Sequence, residues 1–367
     1  MTTYVEDIAT KFAGIRQIKA IAPLGNGNIN QTFLVTAEGT TEEHFVLQQI
    51  NTLVFPNPIK VMDNLQVVSN HVNQKLSNKN LDNWQIPQVL LTSDRKHHCL
   101  AQDGNFWRAI SYINNAASHD TIASLEQAQE IGRGLGIFHR LVSDLPLDKL
   151  VDTLPGFHIT PGYLTQYQKA LQTQTFPDLE PARFCQQFIQ ERIAIVDILE
   201  QAKATKVLPI RPIHGDPKVN NIMLDCRTNK AIAMVDLDTV KPGLIHYDIG
   251  DCLRSGCNKL GEETLNWQEV TFDLELATKI LQGYLGIMQG IISDREKSYI
   301  YDAIRLITFE LGLRFFTDYL NGNIYFKTTY PEQNLNRTLV QFQLTKSIEN
   351  QESAIKKLLA YSYPKST

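Results

Sequence analysis

The stretch Ile213–Val240, "IHGDPKVNNIMLDCRTNKAIAMVDLDTV", decides how the rest of the chain is read. Its middle holds two short apolar runs, NIMLD (221–225) and AIAMVDLD (231–238), around the polar connector CRTNK. That is the pattern of a β-hairpin. A hairpin here returns Asp236, where the second strand ends, to the side of Asn221, where the first begins. Just upstream lies a loop with His214, Asp216, Pro217 and Lys218. An Asp in a loop usually caps or turns. The joint spacing is far more specific: a carboxylate that can take a proton, an ammonium, and an amide and a carboxylate that suit Mg²⁺. In phosphoryl transfer these groups accept the proton of the attacking hydroxyl, support charge on the phosphoryl group and hold the metal. Asp216 and Lys218 are therefore the candidate catalytic residues, and Asn221 and Asp236 the candidate metal ligands. His214 reads as a structural residue that bonds backbone around the loop.

A chain of 367 residues is long enough for two lobes. With 43% hydrophobic and 20% charged residues it reads as globular rather than disordered. A net charge of −4 without a basic block leaves no nucleic-acid footprint. The opening MTTYVEDIATKF has no secretory apolar region, and no apolar run reaches membrane-spanning length. Five cysteines without a CxxC pair suit a reducing compartment, and the expected location is the cytoplasm. His97, His98 and Cys99 read as turn residues rather than zinc ligands. No protein partner is implied.

The first third is strand-rich: 14–25, 30–39 and 42–50, then 88–92, 97–103 and 106–113. Between them, 58–76 has helical spacing, with Val61, Leu65, Val68, Val72 and Leu76 on one stripe and Pro58 at the start. The remainder is mainly helical, with helices expected over 125–144, 180–204, 264–292, 294–320 and 335–361, interrupted by the hairpin. The fold class expected is α+β and bilobal, with a small β-rich N-terminal lobe (1–113) and a larger, mainly helical C-terminal lobe (114–367).

The interval from Asp216 to Asn221 equals that of the protein kinase pattern H-R-D-L-x-x-x-N. HGDPKVNNIML with VDLDT resembles the aminoglycoside phosphotransferase and choline kinase superfamily, whose fold is similar to that of protein kinases. LGNGNINQTFLV resembles its nucleotide loop, GIFHRL the helix before the catalytic loop, and HYDIGDCLRS its post-metal segment. A narrower resemblance, carried also by FVLQQIN, VFPNPIKVMDN and LGLRFFTDYLNGNIYFK, is to the N-acetylhexosamine 1-kinases. That resemblance implies ATP and Mg²⁺, and a small-molecule sugar, N-acetylglucosamine or N-acetylgalactosamine, phosphorylated on its anomeric hydroxyl. It implies Asp216 as base, Asn221 and Asp236 on magnesium, and Asp238 as a structural acid. Asp248 and Asp251 read as loop-bracing acids, with a place at the border of the sugar site as the alternative for Asp251 and Arg254.

At the nucleotide end, Gly25, Asn26, Gly27, Asn28 and Asn30 form a short cover over the phosphates, where glycine lets backbone N–H groups approach closely. Strand three of a kinase-like lobe carries a Lys that pairs with the α/β-phosphates. Here the position holds Gln48, which opens a reading as an inactive nucleotide-binding protein. Adenine is expected along 108–113, where Ile110 and Tyr112 either wall the pocket or fill the lobe. At the acceptor end, residues 305–326 offer Arg305, Arg314, Asp318, Tyr319 and Tyr325. The resemblance suggests Arg314 and Tyr325 as sugar contacts, with Arg254 at the border. The same chemistry on another sugar, an amino alcohol or an aminoglycoside is the alternative.

Overall fold

The computed structural model describes residues 2–12, 17–25, 29–38, 44–78 and 83–361. Asn26, Gly27 and Asn28 of the expected phosphate cover lie outside the described residues.

The chain opens with a helix that the sequence pattern had not suggested, α1 (Thr2–Ala9), and runs into β1 (Gln17–Pro23), β2 (Gln31–Glu38) and β3 (His44–Ile50). Helix α2 (Pro58–Asn78) follows, then β4 (Val89–Leu90), β5 (Cys99–Leu100) and β6 (Phe106–Ser111). They form one antiparallel sheet in the order β1-β2-β3-β6-β4, with β5 also on β6. Side chains alternate between its faces. Phe45, Leu47, Trp107 and Ala109 pack outward, in a cluster with Val5, Ile8 and Phe12. Val46, Ile50, Phe106 and Ile110 face inward, in a cluster with Val61, Leu65, Val68 and Val72 of α2. Gln48 and Arg108 share the inward phase.

After β7 (Ala116–Ala117) the chain is mainly helical: α3 (Leu125–Val142), α4 (Thr160–Thr173), α5 (Glu180–Gln190) and α6 (Ile198–Ala204). Then come β8 (Arg211–Ile213), the hairpin β9 (Ile222–Asp225) and β10 (Ala231–Met234), and β11 (Lys241–Gly243). The helices α7 (Ile245–Gly256), α8 (Leu274–Ile287), α9 (Asp294–Ser298), α10 (Ile300–Leu320), α11 (Gln333–Asn350) and α12 (Glu352–Tyr361) complete it. The expected hairpin is present, with Met234 opposite Ile222 and Leu224 opposite Ala231, and β7 pairs with β9. The helices expected over 180–204, 294–320 and 335–361 are each two helices, and 264–292 contracts to α8. This is a mixed α+β fold with an N-terminal sheet region and a larger helical part.

One buried side chain ties α2 to the segment behind the hairpin. Asn64 donates to the carbonyls of Val151 (2.7 Å) and Val240 (2.9 Å) and accepts from the Val151 N–H (3.0 Å). All five cysteines are free thiols, and four are buried. Among the described residues no helix is long and apolar enough to cross a membrane.

Candidate active site

Strand β8 pairs with β11, Ile213 opposite Lys241, and then turns sharply at Gly215, whose φ is +88°. A Cβ there would lie 2.6 Å from the Thr239 carbonyl oxygen, so the turn needs glycine on both counts. The loop is held from behind by its backbone. Asp248, in the first turn of α7, accepts the N–H of His214 (2.7 Å) and of Gly215 (2.9 Å), and also His139 Nε2 (2.8 Å). Thr239 donates to the His214 carbonyl at 2.8 Å. His158 donates from Nε2 to the Gly215 carbonyl (2.7 Å) and from Nδ1 to Glu310 (3.0 Å). Both partners are acceptors, so His158 is an imidazolium. Burial works against that charge, but Glu310 outweighs it and raises the imidazole. His214 donates from Nε2 to the Val235 carbonyl (2.9 Å) and accepts the Asp216 N–H at Nδ1 (3.3 Å), which is the neutral tautomer. Burial lowers its pKa further. Gly215→Ala is expected to lose about 1–3 kcal/mol of stability to the left-handed backbone alone. The clash adds to that, so both melting temperature and turnover should fall; an unchanged melting temperature would mean the turn is not as tight as drawn.

Asp216 points into the cleft with Oδ2 3.0 Å from Lys218 Nζ. Burial raises its carboxyl, but the Lys218 ammonium, with Arg254 behind it, holds the pKa below the ordinary value. Asp216 in turn keeps Lys218 protonated, with Asp251 adding to the effect. The Asn221 amide nitrogen donates to the Asp216 carbonyl (2.7 Å), so Oδ1 is the atom left for a ligand. The Val235 N–H donates to the Asn221 carbonyl (2.9 Å), and this sets Asp236 beside the start of β9. Asp236 itself is left-handed, φ +62° and ψ +55°. Burial, then the carboxylates of Asp238 and Asp216, push it up to about 7 against the pull of Lys218 and Arg108. Among the described residues no group of three or more His, Cys, Asp or Glu side chains is arranged to hold a metal ion. The donor set here is an amide and a carboxylate, as Mg²⁺ uses when phosphate oxygens complete its shell. Crowded negative charge around Asp236 fits a divalent cation.

Asp238 is buried; its Oδ1 forms an ion pair with Arg108 Nη1 of β6 at 2.5 Å, and its Oδ2 accepts from Asn30 Nδ2, just before β2, at 2.7 Å. Gln48 accepts from Arg108 Nε (2.9 Å) and donates to Thr32 (3.0 Å). Asn30 also accepts the Asn51 N–H at 3.0 Å. Gly25 has φ +70° with open space where a Cβ would be. Ile110 is buried in the core, whereas Tyr112 is half-buried, 5.9 Å from the His44 ring. So Asn30 meets the turn after Asp236 directly, Gln48 reaches it only through Arg108, and Ile110 lies in the core. Arg108 was missed by sequence reasoning. Its signal was a lone charge in the strand FWRAIS, all six of whose residues are buried.

Asp216, Lys218, Asp251, Arg254, Arg314 and Tyr325 line one cleft. Arg254 is taken up by Asp251 (2.8 Å) and Glu262 (3.3 Å). Asp251 keeps Oδ2 buried without a hydrogen-bond partner. Arg314 makes no ion pair to a described carboxylate; it sits among the rings of Tyr163 (5.0 Å), Phe157 (5.1 Å), Phe326 (5.4 Å) and Tyr325 (5.9 Å). Asp318 accepts the N–H groups of Ile324, Tyr325 and Phe326 at 2.8–2.9 Å, so it shapes the loop rather than facing a ligand. Arg305 pairs with Asp302 at 3.1 Å. Of the set offered by 305–326, Arg314 and Tyr325 reach the cleft.

A sheet region stacked on a helical part, with an acid-bearing loop and hairpin at the cleft, is the protein-kinase-like architecture. The chain belongs to the phosphotransferase enzyme family, whose model matches residues 20–273. In fold it is similar to an aminoglycoside phosphotransferase from Alicyclobacillus acidocaldarius (14% identity, TM-score 0.61, 97% of this chain and 96% of that one). It is also similar to choline kinase from Cryptosporidium parvum (14% identity, TM-score 0.60, 99% and 100% covered) and ethanolamine kinase from Plasmodium vivax (14% identity, TM-score 0.54, 88% and 82% covered). At that identity the likeness speaks for the fold.

Proposed function

We propose that the protein is a small-molecule kinase that moves the γ-phosphoryl group of ATP to the anomeric hydroxyl of an N-acetylhexosamine. The observation that carries the reading is the cleft in which Asp216 faces Arg314, with Asn221 and Asp236 behind it. Asp216 orients the acceptor hydroxyl and takes its proton. A carboxylate held below the ordinary range is a weak base, which suffices for a loose transition state in which the proton leaves late. Lys218 stands on Asp216 and supports the charge of the transferred phosphoryl group. Asn221 and Asp236 would hold Mg²⁺, which when bound neutralises the phosphate oxygens. Residues 1–113 serve as the nucleotide lobe, with Gly25, Asn26, Gly27, Asn28, Asn30 and Gln48 at the phosphates and Tyr112 at the base. Residues 114–367 serve as the catalytic lobe. ATP use and unpaired thiols go with a cytoplasmic enzyme.

The acceptor follows from the charges. Arg314, which makes no ion pair to a described carboxylate, disfavours a cation such as choline or an aminoglycoside at its end of the cleft, and it offers N–H donors to an acetamido carbonyl or a sugar oxygen. Tyr325 supplies a ring face, and the unpartnered Asp251 oxygen beside Arg254 accepts a hydroxyl. Related structures are an aminoglycoside phosphotransferase, a choline kinase and an ethanolamine kinase, so a different hydroxyl acceptor is the second reading. A panel of acceptors with ATP and Mg²⁺ decides between them. N-acetylglucosamine and N-acetylgalactosamine should give an acid-labile 1-phosphate; glucose and galactose should be poorer by roughly tenfold or more, for one lost hydrogen bond of about 1–3 kcal/mol. Arg314→Ala should raise the sugar KM far more than the ATP KM. A 6-phosphate product, or choline turned over faster than sugar, would sink the reading.

A further inference from the structure

The kinase arrangement pairs a strand-three Lys with both the nucleotide phosphates and an acid of the following helix. Here β3 holds Gln48, and the one acid of α2, Asp63, is exposed and pairs with His97 at 3.4 Å; the α2 side chain that approaches Arg108 is Met62, whose sulfur lies 3.9 Å from Nη1. The charge has not vanished from this face of the sheet. Thr32, Gln48 and Arg108 stand directly opposite one another across β2, β3 and β6. Hydrogen bonds join that row from Thr32 through Gln48 to Arg108, and the Arg108 guanidinium forms an ion pair with Asp238, two residues past Asp236.

We propose that Arg108 is this chain's phosphate-binding cation, moved one strand across from β3 to β6, with Asp238 replacing the helix acid as its counter-ion. The inference rests on the nucleotide-kinase reading above. A guanidinium has five N–H donors in one plane. Nη1 lies against the Met62 sulfur and forms the ion pair with Asp238, and the Gln48 carbonyl oxygen occupies Nε, which leaves the Nη2 donors for a phosphate. Thr32, by accepting from the Gln48 amide, turns the Gln48 oxygen toward Arg108. The neutral residue on β3 is then what the relocated cation requires, because a Lys there would set an ammonium against the guanidinium. A buried ion pair is seldom retained for stability alone, since replacing both partners by apolar groups is often neutral or stabilising. The same pair would also couple phosphate binding to the Asp236 turn.

Calorimetric titration of the full chain with Mg²⁺ and ADP tests this. No binding by the wild type would sink the kinase reading and this inference with it. With wild-type binding in hand, Arg108→Gln should weaken affinity at least about tenfold, the loss of one charge-assisted hydrogen bond. Gln48→Lys alone should also weaken it. The double variant Gln48→Lys/Arg108→Gln, which returns the cation to β3, should recover to within roughly threefold of wild type. A merely structural Arg108 would not be rescued by an ammonium on the neighbouring strand. Should Arg108→Gln fail to fold, the double variant and Arg108→Lys carry the comparison. Near-wild-type affinity in folded Arg108→Gln, or a folded double variant still tenfold weaker, would overturn the proposal with the kinase reading intact.

Discussion

Asp216→Asn should fold like the wild type, bind Mg²⁺ and ADP with little change, and turn over roughly 10²–10⁴-fold more slowly. The reason lies in what the side chain does not hold. The loop is fixed by backbone groups: Asp248 on the N–H of His214 and Gly215, Thr239 and His158 on the two carbonyls, and Asn221 on the Asp216 carbonyl. The Asp216 carboxylate bonds Lys218, and that ammonium keeps the carboxylates of Asp251 and Asp236 as neighbours. An amide therefore changes the proton acceptor and little else. Acceptor KM should rise only modestly, so the loss falls on kcat. Near-normal kcat in this variant would remove Asp216 from the proposed role.

Asp236→Asn should do two opposite things: stabilise the ligand-free protein and abolish turnover. Asp236 is left-handed, a backbone region that asparagine tolerates well. Its carboxyl is raised from 3.8 to about 7 by burial and by the charges of Asp238 and Asp216. An acid raised on folding is neutral in the native state at low pH, and it weakens the fold as pH climbs from the unfolded value to the folded one. The melting-temperature advantage of the variant should therefore be absent below about pH 4, grow up to about pH 7 and level off above. Added Mg²⁺ with ADP should stabilise the wild type far more than the variant. A variant no more stable than wild type at pH 8, or one with wild-type activity and metal dependence, would count against Asp236 as the metal carboxylate.

The hairpin could be read from the chain because its signal is local. Two apolar runs around CRTNK need no distant partner to specify a turn, and Val61, Leu65, Val68 and Val72 likewise announce the buried stripe of α2. Helices α4 and α7 escaped notice for a physical reason. In α7 eleven of twelve residues are buried, His246, Asp248, Asp251 and Arg254 among them, so no polar face alternates with an apolar one. Helix α4 buries only Thr160, Tyr167 and Ala170, so its stripe is too thin to read. The breaks within 180–204, 294–320 and 335–361 leave the apolar periodicity nearly intact and so are invisible to it.

The sequence by itself determined the kinase-like order of elements and the short-range placements: Asp216 with Lys218, and Asn221 beside Asp236. Those follow from spacing within one loop and one hairpin. Only the tertiary structure decided which distant charges complete them. Arg108 lies 130 residues before Asp238, and His158 lies 152 before Glu310, and no periodicity links such pairs. Burial makes each charge dependent on a partner that the chain brings in from elsewhere. The same holds for Arg314, whose surrounding rings come from segments as far apart as Phe157 and Phe326. Local spacing can name the groups that react, whereas the dielectric and the counter-charges that set their chemistry exist only once the chain has folded around them.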